Sequence, residues 1–176
     1  MREITPKVVL PTISTYQGMA KMPLTPDSSI AGSAYTGVAS PTFGLVADTP
    51  PAQNAVQWAV STLGGTQTGV TANSVSSPFT VSWWKPAVIR PLPPANAISG
   101  LRGTVPNNQY KLIIRKGGNS ASGVPVIATC RITWDIPAGM DNYESAQVLA
   151  MQSFLEGLFV EEAGGVGQTL ISGLLT

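Results

Sequence analysis

Apolar and polar residues alternate with a period of two along four stretches of the chain, and each stretch predicts a half-buried strand. Val56 to Ser61 sets Val56, Trp58 and Val60 on one face, and Phe79 to Trp84 sets Phe79, Val81 and Trp83 against Thr80, Ser82 and Trp84. Gln109 to Lys116 places Tyr110, Leu112 and Ile114 opposite Lys111, Ile113 and Arg115. Val126 to Trp134 places Cys130, Ile132 and Trp134 opposite Thr129, Arg131 and Thr133. Between these last two, Gly117-Gly118-Asn119-Ser120 offers residues that accept positive φ, with Ser122-Gly123 lengthening the connection, so the strands are predicted to pair as an antiparallel hairpin. From Gln17 to Pro51, Gly, Ser, Thr, Ala and Pro dominate without a sustained period, which predicts loops, short hairpins or edge structure.

The period changes after Pro137-Ala138-Gly139. Asp141 followed by Glu144 has the spacing of a capping box, so a helix is predicted from there to about Phe159. Val148, Met151, Leu155, Leu158 and Phe159 form its apolar stripe. Gly164-Gly165 is then read as a break, with Val166, Leu170, Ile171 and Leu174 outlining a short second helix. Strands followed by helices give an α+β class: an antiparallel sheet covered on one face. A stripe of this length exceeds what one small domain can cover, so part of it is expected to pack on a partner chain. The expected organisation is one domain over 1–176, with 1–77 forming N-terminal hairpin, loops and a first strand, 78–136 the main sheet and 141–176 the helical tail.

Composition narrows the chemistry. The 176 residues include no His and one Cys, which excludes His-based triads and His- or Cys-cluster metal sites. No cofactor, metal or small-molecule substrate is expected. Cys130 alternates with Ala128, Ile132 and Trp134, which predicts a buried, inert thiol. An apolar content of 43% can supply a core without disulfides, while a charged content of 11% is about half that of an ordinary soluble enzyme and fits a protein that assembles. No apolar run is long enough to cross a bilayer, and no membrane association is expected. At the N-terminus Val8-Val9-Leu10 is stopped by Pro11, so an export signal is not expected.

The net charge of +1 conceals a division. Residues 1–134 carry all ten bases against Glu3, Asp27 and Asp48, a balance of +7, whereas 135–176 carry six acids and no base. No acid lies between Thr49 and Trp134, the interval that holds Lys85, Arg90, Arg102, Lys111, Arg115, Lys116 and Arg131. If the helices cover the Tyr110, Leu112, Ile132 and Trp134 side of the sheet, the other side presents Thr80, Ser82, Lys111, Arg115, Thr129, Arg131 and Thr133. Such a polar, basic face suits RNA, with cations for phosphates and hydroxyls for bases.

At this point the chain resembles the coat proteins of the single-stranded RNA bacteriophages, the leviviruses, over roughly residues 78–176. The resemblance rests on Thr80-Val81-Ser82 followed by Pro86, on Asn108-Gln109-Tyr110-Lys111 opening the next strand, on the strand end Ile132 to Trp134, and on the helical tail from Asp141. It implies an N-terminal hairpin, a sheet of about five strands and two C-terminal helices, in dimers that interlock their helices and build an icosahedral shell with the sheet facing the genome. By that resemblance Thr80 and Ser82 occupy the place of a hydroxyl-lined adenine pocket, and Lys111 faces an operator hairpin of the viral RNA. Arg115, Thr129, Arg131 and Thr133 join them by alternation alone. Ile127 stands where several members present a stacking Tyr, and Ile113 replaces a more polar residue, so general packaging is the firmer expectation and hairpin-mediated repression of translation the weaker one. The implied partners are viral RNA, a second copy of the chain and the wider shell, and the implied location is a virion assembled in the bacterial cytoplasm.

Two other classes fit parts of the pattern. A fimbrial or adhesin-type β module would share the Gly- and Thr-rich composition and associate through edge strands. An enzyme would need Asp135, Asp141 and Glu144 as catalytic acids, but the spacing of the last two is already accounted for as a cap.

Overall fold

The computed structural model describes residues 24–175. The expectation for Val8 to Pro11, and that for residues 17–23, falls outside them. Six strands form one antiparallel sheet in sequence order: β1 (Ser29–Ala31), β2 (Val38–Asp48), β3 (Ala55–Gln67), β4 (Phe79–Trp84), β5 (Asn107–Ala121) and β6 (Val124–Pro137). Three helices follow: α1 (Met140–Tyr143), α2 (Ser145–Glu161) and α3 (Ala163–Ser172).

Within 17–51, the expected loops and short hairpins give way to an eleven-residue strand, β2, that pairs along most of its length with β3. Its period is hidden for a local reason. Pro41 is fully buried, Ser40 adopts a positive φ of 46°, and the register shifts between Ala39 and Thr42 and again between Gly44 and Leu45. The first shift puts the extra residue in β2 and turns the side chains after it to the opposite face, whereas the second puts its extra residue, Ser61, in β3, so no single alternation runs through β2.

The hairpin between β5 and β6 is correct in pairing but not in its turn. Gly117 to Ser120 continue β5, and the chain reverses at Ser122-Gly123, where Gly123 has φ 75°. Gly117 is small for another reason. A Cβ there would lie 2.6 Å from Ser77 Cα and 2.7 Å from Pro78 Cδ, and its N–H donates to the Pro78 carbonyl.

The helix boundaries also differ from expectation. Neither Asp141 nor Glu144 caps through its side chain: the first lies within the first turn of α1, and the second joins α1 to α2 through its backbone. The break falls at Glu162, and Gly164 and Gly165 lie inside α3.

Besides Pro41, the buried apolar residues among those described are few and lie near β3 and the end of β6: Ala55, Ala59, Val60, Ile136 and Ala138. No residue of α1, α2 or α3 is buried. The sheet face intended for the helices is therefore only partly covered by the chain's own tail. Cys130 shows the consequence: it shares the apolar face with Ile132 and Trp134 but is exposed, contrary to the expected buried thiol.

Candidate nucleic-acid interface

Register settles which side chains share a face. β4, β5 and β6 align Thr80 with Arg115 and Thr129, Ser82 with Ile113 and Arg131, and Trp84 with Lys111 and Thr133. All seven residues expected at an RNA surface therefore lie on one side of the sheet. Ile127 joins them opposite Gly117. The reverse side carries Val81, Trp83, Tyr110, Leu112, Ile114, Ile132 and Trp134, with Trp83 and Trp134 stacked at 5.3 Å and 13°.

The seven are not equally accessible. Lys111, Arg115, Thr129, Arg131 and Thr133 are exposed, whereas Thr80 and Ser82 retain only 8% and 5% of their surface. Both residues are on β4, an inner strand with β3 on one side and β5 on the other. Thr80 sits between Ala59 and Arg115, and Ser82 between Gln57 and Ile113. The Ser82 hydroxyl is already engaged: it accepts from Trp84 Nε1 at 3.1 Å and lies 3.5 Å from the Ile113 carbonyl, to which it donates. The floor of the face is thus hydroxyl-lined and the cations stand above it.

Lys116 belongs elsewhere. It pairs with Phe79 on the apolar side, its ammonium 5.2 Å from the ring centroid, and it donates to Thr71 Oγ1, Ser77 Oγ and the Gly117 carbonyl at 2.9 to 3.2 Å. Burial holds its pKa below the ordinary lysine value. Among the described residues, Lys111, Arg115 and Arg131 have no such side-chain anchors, and no acid interrupts the strip between them. The acids nearest the face stand at its margins. Asp48 accepts from Gln57 Nε2 at 2.8 Å, and Asp135 accepts from Gln109 Nε2 at 2.9 Å.

The apolar stripe on α2 is only partly covered by its own chain. Val148 and Met151 line a cavity of about 260 Å³ against Trp83, Tyr110 and Trp134, and Leu155 is half-buried. Met151, Leu158 and Phe159 are left 46%, 44% and 45% exposed, and Phe154, which lies outside the predicted stripe, is 72% exposed. No helix among the described residues is long and apolar enough to cross a membrane.

Sequence reasoning missed the long β4–β5 connection, residues 85–106, which arches beside the basic face. Arg90 is held there by the buried Asn108, and Arg102 Nη1 donates to the Pro93 carbonyl at 2.6 Å. Only its prolines and its two arginines signal it in the sequence.

No family model matches the chain, and no curated protein matches it. The virus-like particle of bacteriophage ESE020 is 38% identical over 86% of this chain and 99% of its own, with a TM-score of 0.82. The virus-like particles of Beihai levi-like virus 32 and bacteriophage GQ-907 are 19% and 14% identical, cover 76% and 82% of this chain and 88% and 91% of their own, and have TM-scores of 0.43 and 0.44.

Proposed function

This chain belongs to the coat proteins of the levi-like single-stranded RNA bacteriophages, and on that premise we propose that its basic sheet face binds and packages the viral genome while its helices join two copies into a dimer. The protein is a structural component of a capsid, not an enzyme. One observation carries the RNA reading: Lys111, Arg115 and Arg131 share a face with Thr129 and Thr133, and every large apolar residue of β4 to β6 except Trp84, Ile113 and Ile127 lies on or beyond the reverse side. Phosphates meet the exposed cations. The recessed hydroxyls of Thr80 and Ser82 would meet an unstacked base that enters edge-on between the cations.

The dimer reading rests on the exposed surface of α2 and the half-covered apolar sheet face. A soluble monomer rarely leaves so much contiguous apolar surface in water. A second copy contributing its own α2 would cover both, and dimers joined in this way would be the units of the shell.

The test is filter binding of disassembled dimers to single-stranded RNA at several salt concentrations. Replacing Lys111, Arg115 and Arg131 together by Ala should weaken binding and lower the slope of log affinity against log salt by roughly 0.7 for each phosphate that is no longer neutralised. An unchanged slope would show that the genome is bound elsewhere.

A further inference from the structure

A cavity of about 640 Å³ opens where the β4–β5 connection meets the end of the basic face. Its lining includes Trp84 and Lys85 from the end of β4, Arg90 from the connection, and Lys111 and Asp135 from β5 and β6. The volume falls within the roughly 300 to 1,000 Å³ of small-ligand sites. Resting on the RNA reading of the adjoining face, we propose that this cavity is a separate nucleotide pocket that takes one unstacked base of single-stranded RNA against Trp84, with the flanking phosphates held by Lys85, Arg90 and Lys111.

Three features support this occupant. The cavity brings three cations against one carboxylate, and that carboxylate already accepts from Gln109 Nε2 at 2.9 Å. The surplus favours an anion. The indole of Trp84 is half-buried and fixed by its N–H donating to Ser82 Oγ, so an aromatic wall is in place before any ligand arrives. Stacking on a fixed ring is tolerant of base identity and suits packaged RNA.

The loop side of the cavity is also anchored. Arg90 is an exposed side chain on a backbone held at both its N–H and its carbonyl by the buried Asn108 amide, at 2.8 and 3.0 Å. Likewise the Lys85 carbonyl accepts from Asn54 Nδ2 at 2.7 Å, and its N–H donates to the Asn54 carbonyl at 3.0 Å. Two cationic side chains thus project from backbone held by Asn108 of β5 and by Asn54 in the turn before β3. A loop merely crossing solvent has no need of two such clamps.

The probe is a fluorescein-labelled tetra-adenylate RNA, too short to span the whole face, titrated against disassembled dimers. Trp84→Leu should weaken binding roughly five- to a hundredfold with the salt slope unchanged, because stacking is removed and the phosphates are still held. Trp84→Phe keeps a ring and should restore most of the affinity. A Phe variant as weak as the Leu variant would overturn the stacking role. Lys85→Ala with Arg90→Ala should instead lower the slope by about 1.4, at about 0.7 per phosphate. Binding of the tetranucleotide that is insensitive to both sets would overturn the pocket. The adjoining face is separated by Arg115→Ala with Arg131→Ala, assayed on long RNA. Loss of long-RNA binding in that variant, with the tetranucleotide indifferent to Trp84, Lys85 and Arg90, overturns the pocket and leaves the face reading standing. Tetranucleotide binding that depends on Trp84 and Arg90, with long RNA indifferent to Arg115 and Arg131, upholds the pocket and removes the face reading.

Discussion

The side-chain amide of Asn108 satisfies both backbone groups of Arg90: Arg90 N–H donates to Asn108 Oδ1 at 2.8 Å, and Asn108 Nδ2 donates to the Arg90 carbonyl at 3.0 Å. The two residues are eighteen positions apart, and Asn108 is buried at the start of β5. One amide thereby fixes the path of a connection that has little regular structure of its own. Asn108→Ala leaves two backbone groups without their partner, at about 1 to 3 kcal/mol for each that water cannot reach. The expected outcome is a lowered denaturant midpoint together with faster proteolysis between residues 85 and 106. Asn108→Asp keeps the acceptor but sets a buried carboxylate oxygen against the Arg90 carbonyl, so it should be at least as destabilising as Asn108→Ala.

Gly117 and Gly118 are adjacent in β5 but stand in opposite surroundings. A methyl group at 117 would collide with Ser77 and Pro78, while one at 118 would meet nothing within 4 Å. Gly117→Ala should destabilise the fold by about 1 to 3 kcal/mol through overpacking, and Gly118→Ala should be close to neutral. Thermal or denaturant unfolding of the two variants side by side checks the contrast.

That contrast also shows why the turn does not fall where the sequence predicts it. A Gly-Gly-Asn-Ser run is a strong local turn signal, yet Gly117 is small because β5 passes close to Pro78, an approach between residues distant in the chain that no local pattern carries. The same limit hid β2, where buried Pro41 and the extra residue between Ala39 and Thr42 break the period although the strand is long. Where pairing is uninterrupted, as between Tyr110 and Trp134 or Arg115 and Thr129, alternation assigned every face correctly. The apolar pattern of the tail was legible as helix, but burial was not. Cys130 carries the mark of an interior position, and its cover is not supplied by its own chain's helices. Asn108 and the cavity beside Trp84 gave no signal, because each depends on a connection meeting the sheet edge.

Phe159 provides a test of the dimer that does not depend on the stability of the single chain. It is 45% exposed near the end of α2, so an Asp there costs one chain little. If a second copy covers it, the same substitution buries a carboxylate without a partner and should cost several kcal/mol of association. Phe159→Asp is expected to yield folded, soluble monomers that form no particles by electron microscopy. Leu155→Asp, at a half-buried position, should lose both dimer and fold. Normal particles from Phe159→Asp would remove α2 from the interface.

Lys116 gives the fold a small dependence on alkaline pH. Desolvation by burial lowers its pKa in the folded chain from the ordinary 10.5. Between the lowered value and 10.5 the unfolded chain holds a proton that the folded chain has released, so stability rises with pH across that window. Lys116→Met lacks this titration. The denaturant midpoint of the wild type should therefore gain on that of the variant as pH climbs through the window, and a constant difference would show that the ammonium is not desolvated.

Thr80 and Ser82 share one face and are both proposed to meet bases, but their surroundings predict different variants. Ser82 Oγ is the acceptor for Trp84 Nε1, so Ser82→Ala leaves an indole N–H short of a partner in a half-buried setting, at about 1 kcal/mol, and loosens the ring that walls the neighbouring cavity. Thr80→Val is nearly isosteric and removes only the hydroxyl at a recessed point between Ala59 and Arg115. If a base enters between the cations, Thr80→Val should reduce discrimination between RNA sequences while leaving stability and salt slope close to wild type, because the phosphates are still held. Ser82→Ala should lower stability and sequence discrimination together. Competition binding with a panel of hairpins and random RNA, beside unfolding curves for the same preparations, separates the two. Unchanged discrimination in Thr80→Val would confine recognition to the cations and make the sheet face a sequence-blind packaging surface.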